Sequence, residues 1–77
     1  MRPTFEEWSQ LVWERLNTLD VFEEVLRVSE DLAGQRPTDL QELRGDEPEG
    51  AYDGGDSVDE YVRFLRNEWE LFGPEGE

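Results

Sequence analysis

The chain contains no cysteine, no histidine, no lysine and no isoleucine, and only seven arginines stand against twenty-one aspartates and glutamates. Each absence excludes something. Without cysteine there is no disulfide framework and no thiolate metal site, and cysteine usage says nothing of compartment. Without histidine, cysteine or lysine, the usual base, nucleophile and Schiff-base amine near neutral pH are missing. Paired carboxylates doing glycosidase chemistry need a substrate cleft that so small a domain seldom has. No enzymatic activity is expected. No run approaches 18 consecutive apolar residues, and the opening MRPTFEEW lacks an apolar h-region. Neither a membrane span nor a signal peptide is therefore expected, and a cytoplasmic location is.

What remains is charge and aromatics. The net charge is −14 over 77 residues. Such a surface repels nucleic acid and anionic membrane and attracts basic protein surfaces. The length suits one domain spanning residues 1–77, which buries only about 60% of its unfolded surface. Apolar residues make up 35% of the chain, but three Trp, four Phe and two Tyr are among them. Aromatics bury on the order of 150–250 Å² each, enough to build a core that fully disordered acidic chains lack.

Periodicity and punctuation divide the chain into helices. Thr4 and Glu7 have capping-box spacing ahead of Phe5, Trp8, Leu11, Val12 and Leu16, which predicts a helix over about 5–17. Asp20 and Glu23 offer a second N-cap before Phe22, Val25, Leu26 and Leu32, giving a helix over about 21–33 that stops at Gly34. One continuous helix over 5–33 is the alternative. Thr38 and Gln41 frame a short helix over 38–44. The stretch GDEPEGAYDGGD, with four glycines and a proline, reads as a loop over 45–56. Ser57 and Glu60 then cap a last helix over 58–72, followed by a tail over 73–77. No segment alternates as a strand does. The expected fold is all-α: a small three- to four-helix bundle with an acidic, Gly-rich loop before the last helix.

Charge is unevenly spread along these elements. Residues 18–33 carry Asp20, Glu23, Glu24, Glu30 and Asp31 against Arg27 alone. The loop carries Asp46, Glu47, Glu49, Asp53 and Asp56 with no base at all. Helical residues three or four apart lie about 5–6 Å apart at Cβ. Carboxylates so spaced approximate successive phosphates of a nucleic-acid strand and suit the phosphate subsites of a basic enzyme. A solvated face laced with salt bridges is the plainer reading of any one cluster. The stretch Asp53 to Glu60 sets acids around glycines but lacks the alternate-residue acids and terminal Glu of a calcium loop. No dedicated metal site and no cofactor are expected.

The large apolar residues separate in the same way. Trp8, Phe22, Tyr61 and Trp69 fall on apolar stripes and belong to the core, whereas Trp13, Tyr52, Phe64 and Leu71 fall off them. Tyr52, an aromatic inside the acidic loop, is either a partner contact of the kind interfaces favour or an anchor folded onto the bundle.

The opening TFEEWSQLVWERLN, through Thr4, Glu7, Trp8, Gln10, Leu11, Val12 and Asn17, resembles the first helix of the colicin-type nuclease immunity proteins. Glu23-Glu24, then Arg36-Pro37 and Asp39-Leu40, follow in a similar order. The resemblance implies a four-helix inhibitor that grips a nuclease beside its active site, with contacts at Glu23, Glu24, Glu30, Asp31 and Asp39. The chain departs from that family where Gln41-Glu42-Leu43 replaces a tandem tyrosine, and where its Ser-Pro entry to the last helix is missing. In size and acidity the chain is also similar to phage inhibitors of CRISPR, restriction and repair enzymes that mimic DNA. Both likenesses imply a non-catalytic inhibitor of a basic nucleic-acid enzyme, acting as a monomer or homodimer. An acidic adaptor, or a small regulatory subunit of a salt-adapted or high-GC organism, is the alternative.

Overall fold

A computed structural model of the chain describes residues 2–72. The tail expected over 73–77 lies outside them. Five α-helices follow in order: α1 (Phe5–Leu16), α2 (Phe22–Ala33), α3 (Leu40–Arg44), α4 (Glu47–Asp53) and α5 (Val58–Phe72). The fold is an all-α helical bundle, with no strand among the described residues.

Local chemistry explains most of the boundaries. At α1 the Thr4 hydroxyl accepts from the Glu7 amide at 3.2 Å while Glu7 Oε1 accepts from the Thr4 amide at 3.1 Å. This reciprocal bonding is the expected capping box. The helix stops where Asn17 turns its side-chain amide back onto the Trp13 carbonyl at 2.7 Å and the Thr18 hydroxyl donates to the Arg15 carbonyl. Those bonds offer the backbone an exit from the helical ladder, so residues 5–33 form two helices rather than one. Asp20 is not the cap of α2. Val21 holds that position and no side chain bonds the free amides, so α2 owes its start to the burial of Phe22. Gly34, at φ 81°, closes it in the left-handed conformation that glycine adopts without steric cost.

Two expectations in the middle of the chain are overturned. Asp39, not Thr38, caps α3, accepting from the Glu42 amide at 2.9 Å; Thr38 instead bonds the Glu42 carboxylate. The stretch 45–56, expected to be a loop, contains α4. Pro48 sits in its first turn, where the missing N–H and fixed φ favour a helix start, and Glu47 and Glu49 complement the N-terminal dipole. Gly50 inside the helix costs roughly 0.5–1 kcal/mol relative to alanine. Packing offsets that cost: Pro48 is buried, and Ala51 and Tyr52 pack against the core. Ser57 and Glu60 bond reciprocally at the start of α5 at 3.0 and 3.1 Å, as their spacing indicated.

The core forms where α1 lies along α5. Trp8, Val12 and Leu16 from α1 meet Tyr61, Val62, Leu65 and Trp69 from α5, joined by Phe22, Val25 and Leu26 of α2 and by Leu40 of α3. Rings of Trp8 and Tyr61 are 5.3 Å apart and those of Phe22 and Trp69 5.9 Å. The four aromatics placed on apolar stripes are therefore all interior. Phe64 and Leu71, off the stripes, are 50% and 76% exposed.

Candidate functional site

The acids singled out in the sequence occupy three different settings. On α2, Glu23, Glu24, Glu30 and Asp31 are exposed, as is Asp20 just before it. Asp20, Glu23, Glu24 and Glu30 surround a shallow depression of about 420 Å³. Arg27 and Arg36 line the same depression, and Arg27 lies 3.6 Å from Glu24. Four acids against two bases leave −2 there. Arg36, which follows α2 in the chain, thus returns to dilute the field that its sequence neighbours set up.

The second setting is a partly buried network around Arg44, in which Glu47 itself stays exposed. Glu47 receives the Arg44 guanidinium through two bonds of 2.7 and 2.9 Å and the Tyr61 hydroxyl at 2.9 Å. Arg44 also reaches Glu68 of α5 at 3.1 Å. One guanidinium thereby ties α3, α4 and α5 together. Glu47, expected as a partner contact, is committed to this network by its two donors, although it stays exposed. Burial works against the Glu47 charge, but hydrogen bonds from Arg44 and Tyr61 hold its carboxyl below the usual range. Burial likewise opposes the Arg44 charge, and bonding and attraction from Glu47 and Glu68 outweigh it and raise its pKa. Burial first, and then the bond to Glu47, push the Tyr61 hydroxyl far above its ordinary value.

Tyr52 resolves as an anchor. Its ring packs edge-on against Phe5 and Trp8, each at 5.5 Å between centroids, and its hydroxyl donates to the Pro3 carbonyl. The Arg2 guanidinium lies 3.9 Å over its ring. Asp56 contributes through its backbone, its carbonyl accepting from Trp8 Nε1 at 3.0 Å, while its side chain and those of Asp46 and Asp53 are exposed.

The third setting holds two of the expected contacts, Asp39 and Glu49, in a groove that the sequence did not indicate. Between α1, α3 and α4 runs a groove of about 600 Å³. Phe5 and Trp13 form its apolar floor with the fully buried Leu40 beneath them, and Glu6, Asp39 and Glu49 stand along it. No basic residue lines it, and among the described residues neither Glu6 nor Glu49 has an ion-pair partner. Trp13 is half-buried, its ring edge-on to Phe22 at 5.3 Å. The sequence signals of this groove were the expected contacts Asp39 and Glu49 and Trp13 lying off the central stripe. Nothing in the sequence indicated that α4 would fold beside it.

Among the described residues no cluster of acids is arranged to hold a metal ion, and no helix is long and apolar enough to cross a membrane. No protein-family model matches the chain, and neither a curated protein nor a solved structure matches it.

Proposed function

We propose that this protein is a non-catalytic binding module that docks on a basic protein surface, and that its target is a nucleic-acid enzyme whose channel it covers. One observation carries the reading: a net charge of −14 with acids exposed on α1, α2 and α4 and few bases to balance them. Holding so many like charges on a small domain costs stability through self-repulsion, a cost that makes sense where a basic partner relieves it. The exposed acids of α2 and the groove acids Glu6, Asp39 and Glu49 are the surfaces available for contact. The likeness of α1 to nuclease immunity proteins, and the compositional likeness to DNA-mimicking phage inhibitors, support the same class of target.

The test is capture on the immobilised protein with stepwise salt elution, followed by an activity assay of the purified pair. A basic nuclease or CRISPR subunit, released at intermediate salt and inhibited stoichiometrically, is the expected outcome. Its association rate falls at least about tenfold between 20 and 500 mM NaCl, since steering acts through a screened field. A neutral or acidic partner held through every salt step by apolar contact rejects the reading in favour of an adaptor. The absence of lysine alongside abundant acids favours that second reading in one respect, since both suit a high-salt cytoplasm. A protein of that kind unfolds in dilute buffer, whereas an inhibitor melts cooperatively at physiological salt.

A further inference from the structure

The groove between α1, α3 and α4 combines features that seldom meet on a surface so rich in charge. Its floor is apolar and aromatic, its flanking charges are all of one sign, and its volume of about 600 Å³ falls within the range of sites that enclose a ligand, roughly 300–1,000 Å³. The α2 depression has neither an aromatic floor nor uniform charge, because Arg27 and Arg36 line it. Glu6 enters from α1, Asp39 from the cap of α3 and Glu49 from the first turn of α4, so the rim reaches an occupant from three sides.

The chemistry of an occupant follows from these parts. Anions are repelled, which removes nucleic acid and phosphate. A purely apolar segment leaves Glu6 and Glu49 partly desolvated with no partner, an unfavourable exchange. A lysine satisfies the charge but presents a strongly hydrated point charge. An arginine satisfies all parts at once, because its guanidinium stacks on an indole face and forks onto carboxylates, and it sheds water more readily. The groove also exceeds one side chain in size, so the residue beside the arginine rests on Phe5.

We infer that this groove is the docking site for an arginine-bearing segment of a basic partner, with Trp13 as its stacking platform and Glu6, Asp39 and Glu49 as its carboxylate clamp. The inference rests on the reading of the protein as a ligand of basic proteins and names the surface through which that binding is specific.

The test is nuclear magnetic resonance titration of the full-length protein with acetyl-Arg-Leu-Arg-amide and with its lysine counterpart. The Trp13 indole resonance reports the groove, and the buried Trp8 and Trp69 indoles serve as internal references. Two variants remove equal charge from the two candidate faces: Glu6→Gln/Glu49→Gln in the groove and Glu23→Gln/Glu30→Gln on α2. All four positions are exposed, so each variant folds. Saturable shifts centred on Trp13 and on the amides of residues 38–41 are expected, several-fold weaker with the lysine peptide. Loss of the groove pair weakens binding by about tenfold, which is about 1.4 kcal/mol, as two exposed and partly screened carboxylates imply. The α2 pair changes it less than twofold. Equal weakening by the two variants, shifts centred on α2, or concentration-dependent shifts at Trp13 without peptide (a second copy in the groove) each overturn the groove assignment. None of these touches the wider reading, which fails only if the captured partner presents no basic surface.

Discussion

The two acidic segments, 20–31 and 46–56, look alike in composition and ended in opposite roles. In the first, every acid points to solvent and the helix is held by Phe22, Val25 and Leu26 on its other face. In the second, Glu47 accepts from Arg44 and Tyr61, Pro48 is buried, and Tyr52 packs on Phe5 and Trp8. The first segment is a charged surface on a helix that apolar periodicity already guaranteed. The second is a helix that exists because its side chains found partners elsewhere. Acidic sequence alone does not distinguish a contact surface from a structural one. What distinguishes them is whether a base or a hydroxyl donor approaches from another helix.

The comparison breaks most sharply at Tyr52. Tyr52→Ala removes two aromatic contacts and the bond to the Pro3 carbonyl, with an expected loss of about 3 kcal/mol. A domain of this size has on the order of 4–12 kcal/mol in all. Protection of the amides of residues 50–54 from hydrogen exchange should vanish with it, while α2 keeps its own. Unchanged protection over 50–54 contradicts the claim that packing creates α4.

Arg44→Met is next. It leaves Glu47 and Glu68 facing each other without their cation, and because the group is only partly buried the expected cost is about 2 kcal/mol rather than the full penalty of a buried pair. Denaturant unfolding checks this. Glu24→Gln, which breaks the exposed pair with Arg27, should change stability by less than about 0.5 kcal/mol.

Two pH limits follow from the same network. Glu47 has a depressed folded pKa, so its contribution is present above the ordinary carboxylate range and is lost as pH falls through the folded value. Glu47→Gln should flatten the acid limb of a stability profile below about pH 4. Tyr61 has a raised folded pKa, so its contribution is intact below about pH 10 and is lost as pH climbs beyond. Tyr61→Phe should remove that alkaline loss. Persistence of either limb in its variant separates the titration from these residues.

The smallest expected effect belongs to α2. Glu23→Gln/Glu24→Gln relieves net repulsion but withdraws two carboxylates from the first turn of α2 and breaks the pair with Arg27, so stability in dilute buffer should change by less than about 0.5 kcal/mol. Denaturant unfolding at low salt and at 0.5 M NaCl checks this, since at the higher salt screening acts over a few ångströms. A loss of about 2 kcal/mol instead shows that these carboxylates hold the fold as Glu47 does.

The sequence by itself determined the helical class, the caps at Thr4, Gly34 and Ser57, and the burial of Trp8, Phe22, Tyr61 and Trp69. These are local matters: a cap acts within one turn, and a period near 3.6 residues sets which face is apolar before any partner is present. It also fixed the sign of the surface. The tertiary structure decided that 47–53 is helical, that Glu47 bonds Tyr61 while Glu49 lines the groove, and that Arg36 returns to α2. Each of those depends on partners distant in the chain, Tyr52 on Pro3 across 49 positions and Arg44 on Glu68 across 24. A stretch with four glycines and a proline has little helix propensity of its own. Only the core laid down by α1 and α5 supplies the contacts that make it fold, and with it the groove.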